Sequence, residues 1–196
     1  FPNYESSMLN YNGFDKAQDA FEGGSTTITV RGLVGGIPLV NFDDPDVLFR
    51  WAIENAGGST NQENYGLDTN TVLLCAIEDV TFTGVTSNAL GFTNPRFRES
   101  NGNTRPPRSY VLSSRIRGLT FDTYERVVYI VGPAIHELGH ARGIPPNPSH
   151  SGSDAGQCVM QESVLPPSFA PQNGYANYYD PYFCEGHRIF LIGVTW

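Results

Sequence analysis

Apolar and polar positions along this chain follow two periods, and each marks an element. From Thr26 to Val34 the run is β-branched with partial alternation, which predicts a strand. Thr71 to Ile77 is apolar throughout and of strand length, so it belongs in the middle of a sheet covered on both faces, with Cys75 a small core residue. Thr81 to Thr86 reads as a short edge strand. Asn94 to Arg108 reads as a long polar loop with Pro95, Pro106 and Pro107, and Ser109 to Ile116 as another strand.

Helical spacing occurs three times. Asp44 as N-cap, Pro45 at the first helical position, one face of Val47, Leu48, Trp51 and Ala52, and a closing Gly57 predict a helix over about 45–56. Val128, Val131, Ile135 and Leu138 step by three and four behind a capping box of Asp122 and Glu125, which predicts a core-facing helix. Pro133 inside it removes a backbone donor and crowds the carbonyl of Tyr129, so a kink is expected there in preference to a helix start near Gly132. The last helix is expected with Asp180 as N-cap and Pro181 first, running through Phe183, Ile189 and Leu191. Residues 1–25 carry scattered aromatics without a period and read as an arm or short helix. The order of elements implies an α+β domain with a mixed sheet and helices packed on it. At 196 residues the chain is one domain, with an N-terminal part of about 1–143 and a smaller, irregular C-terminal part of about 144–196 ending in a helix.

Composition narrows the function. The net charge is −8 and Lys16 is the sole lysine, so no basic stripe is available to neutralise phosphates, and nucleic acid is excluded as a partner. No apolar run approaches the length of a membrane span. The chain begins at Phe1 and is rich in Gly, Asn, Ser and Thr, which fits secretion after removal of a leader or pro-segment, or a cut chain. Three cysteines, Cys75, Cys158 and Cys184, allow at most one internal disulfide.

The chemistry concentrates in His136-Glu137-Leu138-Gly139-His140, an H-E-x-x-H pattern followed by Gly143. Residues four apart lie one turn above each other on a helix, so His136 and His140 can offer nitrogens to one metal ion. Glu137, next to the first ligand, can reach a water beside the metal without ligating it, as a general base must. A chance match on an exposed helix is the bland alternative. The apolar or small neighbours Ala134, Ile135, Leu138 and Ala141 argue against it, because they make this turn buried.

These residues resemble the metzincin clan of zinc metallopeptidases, whose motif is H-E-x-x-H-x-x-G-x-x-H followed by a methionine turn. His136, Glu137, His140 and Gly143 match it, and the glycine lets the helix end and reverse toward a third ligand. The slot three after Gly143 is Pro146, which cannot ligate, and the next histidine is His150. Cys158-Val159-Met160 is similar to the methionine turn and lies at a suitable distance after His150, so the resemblance makes His136, His140 and His150 the zinc ligands and Met160 a packing base below them. Asp154 is the next candidate for third ligand. Within the clan the cysteine region looks most like archaemetzincins, where four cysteines hold a second zinc. Ser151 stands at the first of those positions, Cys158 and Cys184 match, and His187 stands at the last. A Cys158–Cys184 disulfide is the expected state, with a second, structural zinc on Cys158, Cys184 and His187 as the alternative.

The resemblance implies a zincin-like domain: a mixed twisted sheet, an active-site helix, a second packing helix and a small irregular C-terminal subdomain. It implies a secreted, monomeric zinc endopeptidase that hydrolyses peptide bonds with a water activated by Glu137. Two alternatives stand beside it. One is a non-catalytic binding module stabilised by zinc; the other is a gluzincin-like peptidase with an acidic third ligand such as Glu162. Tyr175, Tyr178 and Tyr179 are candidates for a pocket wall and equally for packing.

Overall fold

The computed structural model describes residues 73–77, 89–94, 97–98, 104–105, 107–112, 115–116, 118–119, 122–145, 150–153, 155–162, 174–176, 178 and 180–193. The arm over 1–25, the strand over Thr26–Val34, the helix over 45–56, the edge strand over Thr81–Thr86, and Asp154 and Tyr179 lie outside these residues.

Among the described residues there are five strands: β1 Leu73–Ile77, β2 Gly91–Asn94, β3 Phe97–Arg98, β4 Thr104–Arg105 and β5 Arg108–Leu112. β5 lies between β1 and β2, parallel to the first and antiparallel to the second. The sheet is therefore mixed, as the order of elements required. The continuous apolar run forms β1 as expected, but among the described strands β5 is the central one. Its Ser109, Tyr110, Val111 and Leu112 are all buried, so β5 is covered on both faces. The loop expected over 94–108 contains a small antiparallel pair, β3 with β4. The strand expected to reach Ile116 ends at Leu112, and Arg115 and Ile116 turn helically.

Two α-helices follow among the described residues: α1 Thr123–Ala141 and α2 Glu185–Gly193. The Asp122 carboxylate caps α1 by accepting from the Glu125 backbone N–H at 2.9 Å. The helix runs on through Pro133 and does not begin at Gly132. Val128, Val131, Ile135 and Leu138 all join the core, yet every residue from Val128 to Ile135 is buried. α1 is thus enclosed on all sides over this stretch, beyond what a one-sided stripe requires.

α1 ends in a Schellman turn. The Ile144 N–H donates to the Gly139 carbonyl at 3.1 Å, and the Gly143 N–H to the His140 carbonyl at 2.9 Å. Gly143 adopts a positive φ of 98°, the left-handed conformation that glycine enters without strain. α2 starts later than Pro181. Its first helical bond runs from the Arg188 N–H to the Cys184 carbonyl at 2.9 Å, which makes Cys184, not Asp180, the residue at the cap.

Candidate metal centres and their carboxylate

On α1 the two motif histidines face each other. Their Nε2 atoms are 3.0 Å apart. The Nδ1 atom of each ring lies 2.8 Å from a backbone carbonyl: Val159 for His136 and Ile144 for His140. A carbonyl only accepts, so both Nδ1 atoms carry the ring proton. Burial and the neighbouring His140 push the His136 imidazole down to about 4, against the pull of the Val159 carbonyl, so it is neutral near pH 7. The two Nε2 atoms are thus the ring nitrogens left to face each other, and a cation could be held between them. Tetrahedral zinc with ordinary Zn–N bonds separates two nitrogens by about 3.3 Å, close to the spacing present. The carbonyls act as the outer partners that fix tautomer and ring orientation in metal sites.

The Schellman turn has a direct consequence here. It brings Ile144 back along the end of the helix, where its carbonyl meets His140. Val159, the other anchor, belongs to the Cys158–Met160 turn. Below the motif, Gly139 admits that turn closely: a Cβ there would stand 2.7 Å from Met160 Sδ and 2.9 Å from Phe183 Cε1. Met160 is completely buried in the core cluster.

Glu137 is buried between α1 and the sheet. The Thr93 hydroxyl donates to its Oε2 at 2.7 Å, and the Ser109 hydroxyl to its backbone carbonyl at 3.0 Å. Thr93 and Ser109 are opposite each other in the β2–β5 register and so share the helix-facing side of the sheet. Burial pushes the Glu137 carboxyl up to about 7, with the Thr93 hydrogen bond pulling the other way. Gly91 leaves room beside this carboxyl, since a Cβ there would come within 2.9 Å of Oε1. Neither Thr93, Ser109 nor Gly91 stands out in the sequence, because their importance arises from strand register. The carbonyls of Val159 and Ile144 are equally silent, being common to every residue.

A second cluster lies at the start of α2. Cys158 and Cys184 are both buried free thiols, which corrects the expected disulfide between them. His187 Nδ1 is 3.3 Å from Cys158 Sγ and 3.4 Å from Cys184 Sγ. His150 joins them with its Nδ1 3.9 Å from Cys184 Sγ, and all four ligand atoms lie within 4.8 Å of one another. Tetrahedral zinc places thiolate and imidazole ligand atoms roughly 3.5–3.8 Å apart, so this set can hold a metal such as zinc. The alternative that named Cys158, Cys184 and His187 therefore describes the arrangement better than the disulfide does, with His150 as a fourth member. A disulfide would need the two sulfurs bonded to each other; here the His187 ring contacts both. Burial raises the Cys158 thiol to about 12, against hydrogen bonds from the Cys184 and Met160 backbones. A bound divalent cation reverses that cost by stabilising the thiolate directly.

His150 groups with Cys158, Cys184 and His187, its ring meeting that of His187 edge-on with centroids 5.1 Å apart. It is only partly buried, and its charge acts on His136 while its Nδ1 faces Cys184. Burial lowers its own pKa, which favours the neutral, ligating imidazole. Ser151, where a cysteine of the resembled family would fall, packs against Gly186 in the first turn of α2. Glu162, the acidic alternative, is exposed. Tyr178 is a packing residue: its ring sits on Gly132 and meets Tyr129 edge-on at 5.8 Å. No described helix is long and apolar enough to cross a membrane. No family model, curated protein or solved structure matches this chain.

Proposed function

We propose that this chain is a zinc-dependent endopeptidase of metzincin-like fold, secreted and monomeric, acting on peptide or protein substrates. The observation that carries the reading is the His136–His140 pair, whose Nδ1 atoms are committed to carbonyls and whose Nε2 atoms meet at 3.0 Å. His136, His140 and His150 would hold the zinc. His150 Nδ1 lies 3.9 Å from Cys184 Sγ, so Nε2 is the nitrogen that would be left for the pair. When bound, zinc polarises the scissile carbonyl and lowers the pKa of a water toward about 7.

Glu137 then performs the proton transfers. Thr93 anchors Oε2, which leaves Oε1, beside the space at Gly91, to take the proton from the attacking water. The water oxygen bonds to the carbonyl carbon, the carbon–nitrogen bond breaks, and Glu137 returns the proton to the leaving amine. A carboxyl with a pKa near neutrality suits both directions of transfer.

The test is Glu137→Gln. It is expected to retain zinc and fold while losing hydrolysis of a casein-type substrate, and equal activity of the two proteins would sink the proposal. A second reading is favoured by the Cys158, Cys184, His187 and His150 set, whose four protein ligands leave no open position and so suit a structural metal. On that reading the domain is a zinc-stabilised binding module, and neither wild type nor Glu137→Gln hydrolyses peptide.

A further inference from the structure

We propose that the two centres are coupled: metal held by Cys158, Cys184 and His187 sets the affinity of the His136–His140 pair for its own zinc. The proposal rests on the reading of that pair as a zinc site and adds its regulation.

The coupling has a physical path through two short segments, 158–160 and 182–184. They are tied together by the Val159 N–H donating to the Tyr182 carbonyl at 2.8 Å and by the Cys184 N–H donating to Cys158 Sγ at 3.2 Å. The same segments touch α1 at the motif. Val159 accepts from His136 at 2.8 Å, and Met160 and Phe183 close on Gly139. Of the three residues of the Cys/His centre, Cys158 is therefore the chain neighbour of Val159, whose carbonyl orients His136, and Cys184 is the neighbour of Phe183 below the motif.

Without a cation, hydrogen bonds at the two sulfurs hold this arrangement. A metal would replace those contacts with bonds to Cys158, Cys184 and His187, which would tie the turn carrying Val159 more firmly to the start of α2 and so hold it against α1. The centre thus removes ordering cost that the pair must otherwise meet when it binds metal, which is positive cooperativity between two sites.

Cobalt distinguishes the centres, because thiolate ligation gives a charge-transfer band that nitrogen ligation lacks. In the metal-free full chain, added cobalt is expected to develop the thiolate band first and the nitrogen-ligated spectrum second. In His187→Ala the affinity of the histidine pair should fall about 10- to 100-fold, the range for losing an outer-shell support. Wild-type affinity of the pair in a His187→Ala protein that is folded by circular dichroism overturns the proposal. A measurement on wild type covers the case in which that variant does not fold. Proton NMR of the wild-type imidazoles should show the His136 Nδ1–H, already held by the Val159 carbonyl at 2.8 Å, exchanging with solvent more slowly once the first equivalent of zinc fills the thiolate centre. An unchanged exchange rate at His136 overturns it equally. Failure of the peptidase reading is read separately, as absence of hydrolysis with both centres loaded.

Discussion

Replacing Gly139 by alanine opposes two effects of known size. In an exposed helix interior the change is favourable by about 1 kcal/mol, because alanine loses less backbone entropy on folding. Here the added Cβ would stand 2.7 Å from Met160 Sδ, 2.9 Å from Phe183 Cε1 and 3.4 Å from Ile144 Cδ1. The first two separations are too short to persist. Met160 has a flexible end that can swing, but Phe183 is a completely buried ring and cannot yield without moving its segment. Overpacking of this kind costs about 1–3 kcal/mol, so the net expectation is a loss of about 1 kcal/mol in the metal-free protein. The displacement also pushes the 158–160 turn off the helix, lengthening the 2.8 Å contact between His136 and Val159. Urea unfolding of metal-free wild type and variant, with equal slopes, gives the stability difference. Zinc competition with a chelator gives the affinity, expected to fall at least tenfold by analogy with other outer-shell losses. A Gly139→Ala protein more stable than wild type, with unchanged zinc affinity, would refute the packing argument.

Other consequences can be checked more simply. Thr93→Val removes the hydroxyl that holds Glu137 Oε2 and should destabilise the fold by about 1–3 kcal/mol, the cost of a buried group left without its donor; unfolding at wild-type urea concentration would contradict this. Asp122→Ala removes the α1 N-cap and should cost about 1 kcal/mol in the same assay, with zinc affinity at the motif unchanged. Cys158 and Cys184 should both react with a thiol reagent after denaturation without reductant, and should be shielded in zinc-loaded native protein; a mass showing the two cysteines joined would count against the free-thiol cluster.

Local rules carried much of the description. The three- and four-residue steps of Val128, Val131, Ile135 and Leu138, the Asp122 cap and the terminating Gly143 all concern residues within a turn or two of one another. Backbone geometry alone decides such relations, so α1 and the facing of His136 and His140 were legible without a fold. The mixed sheet followed from the order of elements, and β1 from its apolar run.

Tertiary structure decided the rest, because it depends on which distant segments meet. Strand register opposes Thr93 to Ser109 and delivers both hydroxyls to Glu137, a relation no spacing in the chain encodes. The start of α2 moved from Pro181 to Glu185, where Cys184 can cap the helix and face Cys158 and His187 together. Two cysteines in an irregular region suggested a disulfide, since sequence shows only that both are available. The chain path inserts His187 between them and sets His150 alongside, a cluster that could hold a metal ion. The residue types were written in the sequence; their partners were chosen by long-range packing, which brings together groups separated by tens of residues.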